Sequence, residues 1–130
     1  MKFLAAIFLL MMALPSAGQY QIRTVVPRYD STKEAVFKGT IEQMRDRRCP
    51  VSGGVGSHIL LRLENDTLIE VHLATTSFTK MVELSLHPGD RIEVTGFKTE
   101  FEGVPTIFAR MVRHGVDEFM FRDNSGTPIW

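Results

Sequence analysis

The sequence of 130 residues contains one cysteine, Cys49, and one tryptophan, Trp130. A single cysteine cannot form an internal disulfide, so stability has to come from a packed core. The sequence also lacks a Cys-x-x-Cys-His motif, which excludes covalent haem attachment in the usual way. Because it contains no nucleophile elbow, no paired-carboxylate pattern and no metal-protease motif, we expect a non-enzymatic binding module without a cofactor.

The sequence also has no net excess of positive or negative charge, since 15 basic residues balance 15 acidic residues. A nonspecific nucleic-acid binder usually carries a strong basic excess, because its affinity comes largely from neutralising phosphates. The composition therefore disfavours nucleic acid as the partner, although a local basic patch could still bind it.

One long apolar run occurs, from Phe3 to Leu14, after a basic start at Lys2 and before the small residues at 15–18. This layout is typical of a secretory signal peptide, and the run is too short to span a bilayer comfortably. We expect a signal peptide at 1–18, a periplasmic or secreted location, and no transmembrane span after cleavage. A retained N-terminal anchor is the alternative.

After an N-terminal arm at 19–33, the sequence predicts one domain at 34–130. Alternating polar and apolar residues bounded by turn signals indicate short strands, and Gly39 within the first strand indicates a bend. The element order predicts an all-β fold, a small OB-fold-like barrel of five or six strands with one short helix between strands three and four. We predict strands at 35–44, 91–98, 106–113 and 118–122, a hairpin at 58–73 and a helix at 77–86.

The register of the predicted hairpin follows from its apolar residues. A three-residue loop at 65–67 places Leu61 opposite Val71 and Arg62 opposite Glu70, an apolar pair and an ion pair. A two-residue loop would mix the two faces of the strands, so we predict the three-residue register.

Two histidines of this hairpin are candidate metal ligands. In the predicted register His72 faces Leu60, and His58 is its diagonal neighbour on the polar face, roughly 7–8 Å away. His58 and His72, with Cys49 on the adjacent loop, could bind a soft or borderline transition metal. The alternative is a pair of surface histidines and an ordinary free thiol.

Three arginines, Arg45, Arg47 and Arg48, lead into a glycine-rich loop that we predict over 45–57. In an OB-fold this loop borders the usual binding face, so the arginines could hold a phosphate, an anionic glycan or an acidic partner. Lys98, at the end of the predicted fourth strand, would add a further positive charge, and Phe101, at the hairpin tip that follows, could stack on a base or sugar. The alternative is a solvated loop whose charges serve solubility.

The segment from Phe121 to Trp130 contains a turn signal and Pro128, and it predicts a tail folded back on the domain. Burial of a large aromatic side chain is favourable by about 2–3 kcal/mol. We therefore expect Trp130 to dock beside the last strand, whereas an exposed partner anchor is the alternative.

The turn and strand at 88–96, the hairpin that contains His72, and the Asp-x-x-Gly-x-Pro-x-Trp ending carry a family resemblance. Together they resemble a bacterial exported OB-like domain found in magnetosome-associated proteins of the MamS/MamX kind, and beside c-type cytochrome segments. The resemblance covers 34–130. It implies no catalytic residue, and any redox role that it implies would belong to a partner.

These observations favour a periplasmic adaptor that binds a protein or envelope partner and is accessory to metal or redox proteins. The alternative is binding of an oligonucleotide or anionic polymer through the loop between strands one and two. A third hypothesis is a metal-linked redox accessory built on His58, His72 and Cys49.

Overall fold

The computed structural model describes residues 25–130, so the predicted signal peptide and the first six residues of the predicted arm lie outside the described residues. The described chain is all-β with one short helix between its third and fourth strands, as the sequence predicts. Its elements are a 3-10 turn at Ser31–Lys33, β1 at Glu34–Cys49, β2 at Gly54–Leu63, β3 at Leu68–Thr75, α1 at Thr76–Met81, β4 at Arg91–Phe101, β5 at Val104–His114 and β6 at Asp117–Met120.

Five of the strands pair in a closed cycle. β1 pairs with β2 and β4, β2 with β3, β3 with β5, and β5 with β4. All of these pairs are antiparallel except β3 with β5, which is parallel. β6 adds to β5 outside the cycle. Each strand of the cycle therefore has a neighbour on both sides, which removes the open edges that invite aggregation.

Strand β1 is longer than predicted, because it continues through the arginines to Cys49. Its first half pairs with β4 and its second half with β2, with a register irregularity between Ile41 and Gln43. The predicted loop over 45–57 is therefore wrong: the turn is confined to 50–53. Polar residues can extend a strand when a partner strand supplies hydrogen bonds, as β2 does here.

The main core consists of side chains from all five strands of the cycle together with Leu86 and Phe121. A second cluster joins Phe101 to Cys49, Phe97 and Phe108. The predicted exposure of Phe101 is thus wrong, because β4 and β5 extend to the pair Phe101–Val104 and leave only 102–103 at the tip.

The tail folds back as predicted. A carboxylate oxygen of Asp123 accepts hydrogen bonds from the backbone N–H groups of Ser125 and Thr127, which closes the turn. The N–H of Ile129 then donates to the carbonyl of Phe121 at 3.1 Å. Trp130 is half-buried and packs against the main core, so its predicted docking is confirmed.

Gly39 lies where β1 passes from one partner to the other, and it pairs with both Leu63 and Ile92. A methyl group there would collide with the carbonyl oxygen of Arg62. We expect Gly39→Ala to lower the free energy of unfolding by about 1–3 kcal/mol, as overpacking usually does. Gly54→Ala is the matched control, because nothing lies within 4 Å of its added methyl group and its φ is not positive. Urea denaturation of both variants measures the difference, and equal stabilities would contradict the prediction.

Candidate metal centre

The hairpin between β2 and β3 has a register that differs by two residues from the predicted one. Leu61 pairs with Ile69, and His58 pairs directly with His72. The loop does have three residues, but they are 64–66 rather than 65–67, since the N–H of Leu63 donates to the carbonyl of Thr67. Asp66 supplies the left-handed residue of this loop, with a φ of 64°. A shift of two residues keeps each side chain on its face but changes its partner.

This register brings the two histidines into contact. Their ring centroids lie 4.8 Å apart, and each residue is only 1% exposed. The predicted diagonal spacing and the predicted polar surface position are therefore both wrong. A bulge between Ser57 and His58 changes the direction in which the His58 side chain points from the strand.

Cys49 completes the cluster from the end of β1, where it pairs with Gly54 and is 3% exposed. The Sγ atom of Cys49 and one ring nitrogen from each histidine all lie within 4.8 Å of one another. The turn that follows Cys49 adds an oxygen, because Oγ of Ser52 lies 2.9 Å from Nε2 of His72. Gly56 leaves room for this packing, since a methyl group there would meet the Ser52 hydroxyl and Nε2 of His58.

Several buried nitrogens of the cluster have no hydrogen-bond partner among the described residues. They are Nδ1 and Nε2 of His58 and Nδ1 of His72. Buried polar atoms are nearly always satisfied, and each exception calls for a cause such as a bound ion. Convergence of unsatisfied nitrogens with a buried thiol is the pattern expected of a metal centre.

Glu70 supports the cluster from β3. Its Oε1 lies 2.9 Å from Nδ1 of His58, as a close ion-pair contact rather than an aligned hydrogen bond. Arg45 holds the same carboxylate at 3.0 Å and Arg47 at 3.5 Å, and Arg47 also reaches Glu102 at 3.5 Å. No sequence pattern indicated this role for Glu70, because the predicted register paired it with Arg62.

The predicted ligand-binding residues therefore separate into three groups. Arg45 and Arg47 face carboxylates, and Phe101 is buried in the second cluster. Arg48 and Lys98 are exposed on β1 and β4 respectively. The structure does not present these five residues as one open basic surface.

Electrostatics favour the metal-binding forms of Cys49 and His72, whereas His58 would have to release a proton on binding an ion. Burial, and then the positive charges of His58 and Arg122, lower the pKa of His72 to about 3, so this imidazole is neutral. Burial raises the pKa of the Cys49 thiol, but the contact with His58 outweighs it and the net shift is downward. Burial also opposes the charged form of His58, yet its contacts with Cys49 and Glu70 raise its pKa. A thiolate and neutral imidazoles are the states that bind metal ions.

These features define a small all-β protein with a buried cysteine–histidine cluster. The model of the MamS/MamX magnetosome protein family matches residues 33–119, and the chain belongs to this family, as its sequence motifs predict. The matched range includes Cys49, His58 and His72. No curated protein and no solved structure matches the chain.

In the part of the chain that the structure describes, no helix has the length and apolar character needed to cross a membrane.

Proposed function

We propose that this member of the magnetosome family is an exported accessory protein that binds one transition-metal ion through Cys49, His58 and His72. The convergence of three buried donor groups, whose atoms lie within 4.8 Å of one another, carries the proposal. Nε2 of His58 and Nδ1 of His72 support it, because these buried nitrogens have no partner among the described residues and a bound ion would satisfy them.

The donor set selects the class of ion. One thiolate and two imidazoles suit zinc or copper, whereas magnesium and calcium prefer oxygen ligands. Metal-binding histidines usually contact a carboxylate through the second ring nitrogen, which fixes the ring orientation. Glu70 occupies that place beside His58. The hydroxyl of Ser52, 2.9 Å from Nε2 of His72, would orient that ring in the same way.

The contacts from Cys49 to His58 and from His58 to Glu70 also resemble those of a catalytic nucleophile, its base and the carboxylate that orients the base. Burial argues against catalysis, because Cys49 and His58 are 3% and 1% exposed and a substrate would have no access to the sulfur. The buried position therefore supports a non-enzymatic role for the cluster.

The proposal includes a fold and a location. The closed cycle of strand pairings and the helix between β3 and β4 support an OB-fold. The apolar start of the sequence supports export to the periplasm, where the protein would act on a protein or envelope partner. Pairing of Arg45 and Arg47 with carboxylates weakens the alternative of nucleic-acid or polyanion binding.

Zinc titration of untagged protein tests the metal site. We expect one equivalent to bind to the wild type, and both Cys49→Ser and His72→Ala to lower the affinity by at least about 100-fold. Loss of a ligand should exceed the 10–100-fold effect of losing a group that only orients one. His87→Ala is the matched control, because the His87 side chain is 76% exposed and lies in a turn.

Cobalt gives an independent readout of the same ligands. A thiolate–cobalt charge-transfer band should appear in the wild type and in His87→Ala and be absent from Cys49→Ser. Circular dichroism confirms that each variant is folded. Wild-type zinc affinity in folded Cys49→Ser and His72→Ala proteins would refute the proposal.

A further inference from the structure

Arg122 follows β6 and is a buried cation surrounded by aromatic rings. The residue is 6% exposed, and its guanidinium carbon lies 5.2 Å from the ring centroid of Tyr29 and 5.7 Å from that of Trp130. The Phe108 ring lies 6.0 Å away. One N–H of the guanidinium donates to the carbonyl of Gly126 at 2.9 Å, whereas Nε has no partner.

Among the described residues, no carboxylate lies within ion-pair distance of Arg122. Elsewhere the chain pairs a partly buried arginine with a carboxylate: Arg110 donates two hydrogen bonds to Glu34, at 2.9 Å and 2.8 Å. Burial lowers the pKa of Arg122, as expected for a buried cation without a carboxylate beside it. Aromatic faces attract a cation but accept few of its five N–H groups. Charge-assisted hydrogen bonds to an anion are the interactions that such a guanidinium makes best.

Arg122 lines an open cleft between the arm at 28–31 and the tail at 125–128. The cleft has a volume of about 700 Å³ and contains a second arginine, Arg28. Asp30 is the one carboxylate of its lining, and an oxygen of that carboxylate accepts hydrogen bonds from the N–H and hydroxyl of Thr32. The lining thus has two positive charges against one negative charge.

The nearby carboxylate and phenol groups are already engaged. One carboxylate oxygen of Asp123 accepts hydrogen bonds from the N–H and hydroxyl of Ser125 and from the N–H of Thr127 within the tail turn. The hydroxyl of Tyr29 donates to Glu34 at 2.6 Å, so Tyr29 contributes an aromatic wall rather than a donor. The guanidinium of Arg122 remains as the donor with unused capacity.

We propose that this cleft binds a small oxyanion, a carboxylate or phosphate compound, with Arg122 as the principal donor and Arg28 as a second cation. A planar guanidinium matches either group with two parallel hydrogen bonds, which a lysine cannot reproduce. The cleft volume falls within the range of small-molecule sites. This site is separate from the metal ligands, and the inference does not depend on metal binding.

Trp130 makes the test direct, because it is the only tryptophan and its ring contacts Arg122. Metal-free protein, prepared without a carboxylate chelator, is titrated with inorganic phosphate and separately with citrate at constant ionic strength. We expect a saturable change in tryptophan fluorescence and one binding site by calorimetry with at least one of the two. Tighter binding of phosphate would identify the ligand as a phosphate compound, and tighter binding of citrate would identify it as a carboxylate compound.

Three variants decide the outcome. Arg122→Gln and Arg122→Lys should each weaken binding at least about tenfold, because they lose charge-assisted hydrogen bonds or the planar fork. Arg28→Ala should also weaken binding, and this variant tests the cleft independently of whether the Arg122 variants fold. Arg48→Ala is the matched control, since Arg48 is exposed outside the cleft lining. Absence of saturable binding of both ions, or undiminished binding by Arg28→Ala together with folded Arg122→Gln, would overturn the proposal.

Discussion

Saturating zinc is expected to raise the free energy of unfolding of the wild-type protein by about 4 kcal/mol at a free concentration of about 1,000 times Kd. The ion would bind the folded state alone, because residues 49, 58 and 72 converge only when β1, β2 and β3 have paired. For a domain of this size such a gain corresponds to a rise in Tm of roughly 15 °C or more. Thermal and urea unfolding with and without zinc measure it.

The controls for this prediction use variants of a ligand and of an exposed histidine. Cys49→Ser should gain little from zinc, whereas His87→Ala should gain as much as the wild type. Binding of zinc to the unfolded chain would reduce the gain, so the comparison between variants is the sharper measure. The site assignment is wrong if zinc stabilises Cys49→Ser as much as the wild type.

Phe121→Ala is expected to lower the free energy of unfolding by about 3–5 kcal/mol. Phe121 is fully buried and packs edge to face on Phe78 at a centroid distance of 6.3 Å. Its backbone carbonyl also holds the folded-back tail through Ile129. The variant therefore leaves a cavity at the place where α1, the tail and the strands meet.

Urea denaturation measures the loss, with Val116→Ala as the control. Val116 is 98% exposed, and truncation there should change the free energy of unfolding by no more than about 0.5 kcal/mol. A loss below about 1 kcal/mol for Phe121→Ala would mean that Phe121 is not a central element of the core.

Strand positions were largely predictable, because alternation and turn residues are local signals. The start of β4 at Arg91 and the centre of β5 follow directly from such patterns. The end of β1 was not predictable in this way, because the pairing of its polar residues depends on β2. The helix ends earlier than predicted, at Met81. Glu83, two residues later, has a φ of 52°, and a residue in this conformation ends a right-handed helix.

The candidate metal site was predictable in its residues but not in its geometry. Cys49, His58 and His72 are ligand types near one another in the predicted topology. Their contact depends on the placement of a three-residue loop, and a displacement of that loop by one residue turns a diagonal histidine pair into a direct one. Glu70 and Arg122 acquire their roles from contacts across the chain, which no local pattern encodes.

The ring of Trp130 contacts both proposed sites, with its centroid 5.8 Å from that of His72 and 5.7 Å from the guanidinium carbon of Arg122. A shared side chain of this kind provides a route for thermodynamic linkage between two ligands. Linkage is reciprocal: the factor by which metal changes the affinity for the oxyanion must equal the factor by which the oxyanion changes the affinity for metal. The tail that closes the fold would then also make metal loading responsive to the anions around the protein.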